Sequence, residues 1–353
     1  MIMTLSSDEQ KQYNRHLILK EIGESGQLKL KQAKVLVIGA GGLGCPVLQY
    51  LTAAGVGTIG IIDHDVVDQS NLQRQILYTM EDIGCSKAGT AAKRLSKLNP
   101  FVHFNTYAKK LSIGNALSLC GEYDIIVDGS DNFATRYLVN DAAVLTNKPL
   151  VYGAIFKFEG QVSVFNYLGS ATYRCLYPTP PKPEDSPNCS EIGVLGVLPG
   201  IIGSLQANEV LKMITGLGTV MTNKLLLFDA LSMQQQVLNF EKDTTIRITD
   251  LKQDYEGFCG IVPVQHITYG ELEKNRAHYN VLDVREDAER EVHHIGGQHI
   301  PLGDLPQRYQ DINTALPVVV YCKTGKRSGV AISYLKDRLK DAVFYNLQNG
   351  LPL

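Results

Sequence analysis

Short apolar runs and longer helical stretches alternate along the chain up to Ile155. Val35 to Ile38 has the pattern of a buried strand and leads into a glycine-rich turn, then an apolar helix through Ala54. Ile59 to Ile62 repeats the strand pattern and ends at Asp63. Helical spacing returns over Lys87 to Leu98, and a third apolar run covers Ile125 to Val127. Ala134 to Leu145 then reads as helix and Leu150 to Ile155 as a further strand. Continuous apolar strands separated by helices specify a mainly parallel sheet covered on both faces. The predicted architecture is therefore a doubly wound, Rossmann-like α/β domain.

The pattern changes after Gly160. Gln161 to Asn166 alternates as an antiparallel or edge strand does, and prolines then stand at positions 178, 180, 181, 183 and 187. They exclude helix and central strand and leave a long surface crossover. An apolar helix is expected from about Ile201 to Ile214, with strands at Lys224 to Phe228 and Thr245 to Ile248. Patterning fades near residue 260, and a smaller α/β unit begins, with strand candidates Val281 to Val284 and Val318 to Tyr321. A chain of 353 residues calls for two domains; the expected division is residues 1–260 and 261–353.

Composition narrows the classes. Hydrophobic residues at 44% and charged residues at 20% describe a globular protein. A formal net charge of -2 supplies no global attraction to nucleic acid, so local clusters must carry the signal. No run approaches the ~18 apolar residues of a membrane span, and the opening MIMTLSSDEQ lacks the apolar core of a signal peptide. The seven cysteines are odd in number and irregular in spacing, which favours a reducing compartment over a disulfide framework. The expectation is a cytoplasmic protein with neither nucleic-acid nor membrane partners.

Gly39, Gly41, Gly42 and Gly44 follow a strand and open a helix. Such a turn lets backbone N–H groups and the positive helix end approach a phosphate. Asp63, about 20 residues on, stands where a ribose hydroxyl is held. These features alone favour NAD. The residues that follow favour a triphosphate: Arg74 and Lys87 are placed to meet phosphates, and Asp131 lies at a strand end, where it can hold Mg²⁺.

The ordered segments YNRH, GAGGLG, DHD, SNLQRQ, SKAG, DGSDN, EGQVSVF and GIIGSLQANE resemble the MoeB/ThiF family, relatives of ubiquitin-activating enzymes, over roughly residues 5–260. The resemblance implies a homodimer that uses ATP and Mg²⁺ to adenylate the C-terminal Gly-Gly of a small ubiquitin-like sulfur carrier of MoaD or ThiS type. It also implies Asp63 on ribose, Asn71, Arg74 and Lys87 on the phosphates, Asp131 on Mg²⁺, and Arg15 reaching the partner's ATP. Cys189, after the proline-rich crossover, is the candidate thiol for holding the carrier or passing sulfur. Many family members close a zinc site with two C-x-x-C pairs. Here the pairs read Thr172-Tyr173-Arg174-Cys175 and Glu256-Gly257-Phe258-Cys259, and with one thiol missing from each, no structural zinc is expected.

Cys322 ends a strand and opens Cys322-Lys323-Thr324-Gly325-Lys326-Arg327-Ser328. A loop of this kind wraps N–H groups around an anionic sulfur, with Lys323, Lys326 and Arg327 expected to add positive field. With VLDVRE and HHIGG it resembles a rhodanese domain over about residues 263–353. That resemblance implies a Cys322 persulfide, loaded by a persulfide or thiosulfate-type donor, that turns the adenylated carrier into a thiocarboxylate. His293, His294 and His299 fall in a loop of this domain and read as structural rather than metal-binding.

Three rivals remain. A dehydrogenase would need a nicotinamide site and a hydride-transfer acid or base, and none stands out. A non-catalytic scaffold would bind the carrier without adenylating it. An enzyme adenylating a different carboxylate fits the attached sulfur domain less well. The sequence leaves the pathway open among molybdopterin, thiamine, cysteine and thiolated-tRNA synthesis.

Overall fold

The apolar runs become strands wherever both faces of the chain are covered. The computed structural model describes residues 4–181, 193–260 and 264–352, and they fall into two compact units, one ending at Tyr255 and the other beginning at Glu256. The first opens with helices α1 (Ser7–Gln12), α2 (Asn14–Leu17) and α3 (Gly23–Gln32). It then alternates β1 (Lys34–Ile38), α4 (Gly44–Ala54), β2 (Thr58–Ile62), α5 (Lys87–Leu98), β3 (His103–Tyr107), α6 (Ile113–Gly121), β4 (Ile125–Asp128), α7 (Phe133–Leu145) and β5 (Leu150–Phe156). Antiparallel β6 (Glu159–Phe165), short α8 (Tyr173–Leu176), long α9 (Val197–Thr215), β7 (Lys224–Asp229) and β8 (Gln235–Asn239) complete it.

The eight strands run in the order β3-β2-β1-β4-β5-β6-β7-β8, parallel from β3 to β5 and antiparallel beyond. Chain order reverses between β1 and β4, and a doubly wound sheet opens its ligand crevice at such a switch, beyond the carboxyl ends of the strands. Val35, Val37, Ile59, Ile61 and Val127 are buried with Leu48 and Leu51 of α4 and Ala88, Ala91 and Leu95 of α5. That packing fixes the strand ends carrying the candidate residues.

The expected strand at Thr245 to Ile248 does not form. Asp243 Oδ1 instead accepts from Thr245 N at 2.8 Å and Oγ1 at 2.6 Å, closing a turn in an exposed stretch with no neighbouring ladder. The last strand is β8, whose Gln-Gln-Val-Leu-Asn sequence is exposed at every position and gives no alternating signal.

The second unit is a five-stranded parallel sheet, β11-β10-β12-β13-β9, with β9 (Gln265–Ile267), β10 (Asn280–Asp283), β11 (Gln298–His299), β12 (Val318–Tyr321) and β13 (Phe344–Leu347). Helices α10 (Tyr269–Lys274), α11 (Asp287–Val292) and α12 (Lys326–Arg338) accompany it. Leu282, Val320, Ala331, Ile332 and Phe344 share one core face, and Val281, Val319, Tyr321 and Leu347 the other.

One buried polar knot braces the first unit below the crevice. Asp141 of α7 receives Arg174 Nε and Nη2, each at 2.7 Å, and the Tyr255 hydroxyl at 2.7 Å. The Arg174 guanidinium also lies over the Tyr137 ring at 4.8 Å. The knot joins α7, α8 and the segment near Tyr255. Removing one partner from a buried pair strands the other charge, which costs about 3–5 kcal/mol. Asp141→Ala is therefore expected to lower the unfolding free energy of the first unit by about 3–5 kcal/mol, read as a lower urea midpoint, with Asp141→Asn milder; an unchanged midpoint would show that the knot does not brace it.

Candidate active sites

The loops leaving β1, β2 and β4 converge on one open cleft. The turn after β1 is possible only with glycine. Gly39 has φ +89°, and a Cβ on Gly44 would stand 1.9 Å from Gly39 O. Asp63, at the end of β2, ties this turn down: its Oδ2 accepts from Ala40 N at 2.7 Å and its Oδ1 from Asp65 N at 2.8 Å. Gly41 and Gly42 line the cleft beside Asp63.

Two of the expected cations face this space. Arg74 lines it with Nη1 3.1 Å from Ser70 O. Lys87, at the first turn of α5 and only 5% exposed, sends Nζ to Asp65 at 2.9 Å. Asp131 borders the cleft, exposed, between β4 and α7. Two candidates stand elsewhere. Asn71 caps the preceding turn, its Oδ1 accepting from Asp68 N at 3.3 Å, and does not line the cleft. Arg15 is exposed on α2, also outside it. Cys189 lies outside the described residues.

Sequence reasoning passed over Lys109, Lys110, Gln75 and Arg136, all of which line the cleft. The lysines follow β3, a strand the hydrophobic pattern did not announce. Arg136 is one turn into α7 and 8% exposed, with its guanidinium over the rings of Phe133 at 5.1 Å and Tyr152 at 5.7 Å. Its one hydrogen bond is a long contact, 3.5 Å from Nη2 to Ser130 O, and its Nε has none. Ser130 Oγ and Asp128 Oδ2 are likewise buried without a partner. Burial pushes the Asp128 carboxyl up, and the nearby Arg136 charge opposes that shift. An unpaired buried polar group costs about 1–3 kcal/mol, so the open Arg136 and Ser130 groups in the cleft wall call for a polar partner there.

The walls thus carry Arg74, Lys87, Lys109, Lys110 and Arg136 against Asp63, Asp65 and Asp131, a cationic surface on a chain of formal charge -2. That surplus suits a triphosphate better than a dinucleotide. Asp63, Asp65 and Asp131 are oxygen donors of the kind Mg²⁺ selects, so the residues present fit a magnesium nucleotide. Among the described residues, the one group of three ligand atoms within 4.8 Å is Asp63, His64 and Asp65. Of the histidines in the second unit, His299 places Nε2 2.7 Å from Arg285 O, and His294 Nδ1 accepts from Gly296 N at 3.0 Å. These bonds brace their own loop.

In the second unit Cys322 directly follows β12, 1% exposed. Burial works against its thiolate, but the Ser328 hydroxyl and the N–H groups of Ser328, Thr324 and Gly325 outweigh it and hold the thiol below its ordinary range. Ser328 Oγ lies 3.4 Å from Cys322 Sγ and 2.6 Å from Asn346 Oδ1. Arg327, expected to add positive field, is bidentate to Glu289 at 2.6 Å on each arm and is still near enough to Cys322 for the two charges to interact. Asp283 and Arg285 of the VLDVRE segment form a buried bidentate pair, and Arg285 Nη2 continues to His293 O at 2.8 Å. Leu351 N donates to Cys322 O at 2.9 Å, closing the other side of the loop.

Comparison with known proteins agrees with both halves. Residues 13–247 match the ThiF family and residues 268–352 the rhodanese-like domain. The chain is 46% identical to "Probable adenylyltransferase/sulfurtransferase MoeZ" of Mycobacterium tuberculosis, over 98% of this chain and 93% of the relative. It is 49% identical to "Sulfur carrier protein adenylyltransferase" of Thermus thermophilus, over 73% of this chain and 100% of the relative. To "Adenylyltransferase and sulfurtransferase MOCS3" of Mus musculus the identity is 41%, over 94% and 81%. The crystal structure of E. coli MccB with ATP shares the fold, with TM-score 0.60 and 23% identity over 69% of this chain and 75% of that one. No helix of the described residues is long and apolar enough to cross a membrane.

The Cys322 loop makes its own prediction. The thiolate absorbance lost in Cys322→Ser is expected to titrate below the ordinary thiol range, and Ser328→Ala is expected to move that midpoint upward. Cys45 and Cys120, pushed up to about 12 by burial, stay protonated through that window. A midpoint unmoved by Ser328→Ala would mean the hydroxyl does not stabilise the anion.

Proposed function

Because the chain belongs to the ThiF family and carries a rhodanese-like domain, we propose that it adenylates the C-terminal glycine of a small ubiquitin-like sulfur carrier and then replaces AMP with sulfur from Cys322. Residues 1–260 are the adenylating domain and residues 261–353 the sulfur-donating one. The observation that carries the reading is the cationic cleft at the switch point, with Lys87 buried beside a glycine turn held by Asp63.

A carboxylate is a poor electrophile. Its oxygen attacks the α-phosphorus of ATP, the bond to the β-phosphate breaks, and pyrophosphate leaves with its electron pair. The carboxylate is already ionised, so the step needs no general base; it needs neutralised charge and aligned reactants. The glycine turn cradles the phosphates, Arg74 and Lys87 neutralise them, and Asp63 is the ribose-side acid. Asn71 serves the phosphates only through the turn it caps. Asp131 would hold Mg²⁺, which would supply Lewis-acid neutralisation of the phosphate charge. Arg15, exposed and outside its own cleft, is suited to delivery into the cleft of a second copy in a homodimer.

In the second stage the outer sulfur of a Cys322 persulfide attacks the acyl carbon and AMP leaves, giving an acyl disulfide. A second thiol, for which Cys189 is the chain's candidate, attacks Cys322 Sγ and releases the thiocarboxylate, so that two thiols become one disulfide. The cradle of N–H groups that favours the Cys322 thiolate equally favours an anionic persulfide.

Structural zinc does not fit the residues present: Thr172 and Glu256 stand where a tetrahedral site would take thiolates. Elemental analysis of the purified chain is expected to find well under one zinc per chain, and one full equivalent would contradict this. The catalytic reading is tested by ATP–pyrophosphate exchange with a panel of ubiquitin-like carriers. Lys87→Met is expected to slow exchange by about 10²–10³, the scale for losing one donor to developing charge. Mass spectrometry should show the carrier gaining one sulfur in place of oxygen, a gain absent in Cys322→Ala while exchange persists. Exchange at the wild-type rate in Lys87→Met, or by no carrier at all, would refute the adenylation step.

A further inference from the structure

We propose that Arg136, with Ser130 beside it, is the seat of the substrate's C-terminal carboxylate. The assignment rests on the adenylation reading and adds to it the residue that recognises the acyl end.

Asp63, the glycine turn, Arg74 and Lys87 are the groups of the cleft suited to ribose and phosphates. Lys109, Lys110, Ser130, Asp131, Arg136 and Ile155 are among the other residues that line it. Among these Arg136 is the buried cation, 8% exposed, and its guanidinium makes no ion pair with a carboxylate of the described residues. Its aromatic neighbours hold the guanidinium plane: Phe133 from its own helix and Tyr152 from β5. The edge formed by Nε and Nη2 is the edge that takes a carboxylate with two parallel hydrogen bonds. On that edge Nε has no partner and Nη2 only the 3.5 Å contact to Ser130 O.

Ser130 supplies an independent observation. Its N–H is committed to Asp128 Oδ1 at 2.9 Å, while its hydroxyl is buried with no partner. Two donors, each at least nine-tenths buried, are thus left open in the cleft wall. An arginine there solely to balance Asp128 would be expected to hydrogen-bond it, yet Asp128 Oδ2 is itself unpartnered. A carboxylate on the Nε–Nη2 edge satisfies the arginine, and each of its oxygens keeps an unused lone pair that can be directed at the α-phosphorus. Lysine is not an equivalent here, because a point charge cannot fix the carboxylate plane.

The test compares a carrier that supports exchange with the same carrier made as its C-terminal amide. Binding of each is measured by titration calorimetry to the full chain with a non-hydrolysable ATP analogue present. The wild type is expected to bind the carboxylate form at least about tenfold more tightly than the amide, the difference of one charge-assisted hydrogen bond. Arg136→Gln is expected to bring that ratio near one and Arg136→Lys to leave it intermediate, while affinity for the ATP analogue changes less than about twofold. Ser130→Ala should lower the ratio without altering the thermal midpoint, and it decides the matter if Arg136→Gln does not fold. A wild-type ratio near one, or a ratio unchanged in the folded variants, overturns the assignment. If the wild type exchanges normally and the ratio survives Arg136→Gln, only this inference falls. If no carrier supports exchange, the adenylation reading falls and takes it along.

Discussion

Parallel pairing of β1 with β2 on one side and β4 on the other is the constraint on which the adenylating site depends. Register along these ladders sets Ile38 beside both Ile62 and Asp128, so three loops leave the sheet at one level. The glycine turn, Asp63 and the Asp128–Asn132 loop then meet without further adjustment. Asp63 turns this proximity into a fixed geometry by accepting the Ala40 N–H. One carboxylate therefore shapes the glycine turn proposed to cradle the phosphates and also stands at the place proposed for ribose. Displacing β2 by one residue would separate those two roles.

Both candidate sites handle anions at the end of a parallel strand, but with different means. A triphosphate carries charge that backbone dipoles alone do not balance, and the first cleft adds lysines and arginines to its glycine turn. A thiolate or persulfide carries a single charge, and the Cys322 loop manages with a hydroxyl and three N–H groups. Arginine in the second unit works at one remove. Arg285 and Arg327 bind Asp283 and Glu289, and so hold the loops that shape the sulfur site. Their charges are largely compensated, which limits their pull on anions from solution.

The legible parts of the sequence were those with a local cause. A glycine turn between an apolar strand and a helix, an acid at the next strand end and a cysteine ending a buried strand each carry their reason within a few residues. Arg136 does not. Its surroundings come from α7 and β5, and an arginine inside Phe-Ala-Thr-Arg-Tyr-Leu reads as an ordinary helical charge. Lys109 and Lys110 were missed because β3, His-Phe-Asn-Thr-Tyr, is half polar, being an edge strand. The same limit explains β8, whose polar sequence is recruited by β7, and the false strand at Thr245, where Asp243 closes a turn. For Cys322 the sequence suggested positive field from Arg327, and only the geometry shows that Glu289 holds that arginine in place.

The central claim is that a carboxylate oxygen of the substrate becomes bonded to the α-phosphorus. Isotope transfer tests it most directly: a carrier labelled with heavy oxygen in its C-terminal carboxylate is turned over with unlabelled ATP, and the AMP is analysed by mass spectrometry. The account predicts AMP containing one labelled oxygen, with pyrophosphate unlabelled. AMP without label, or ADP formed in its place, would contradict it.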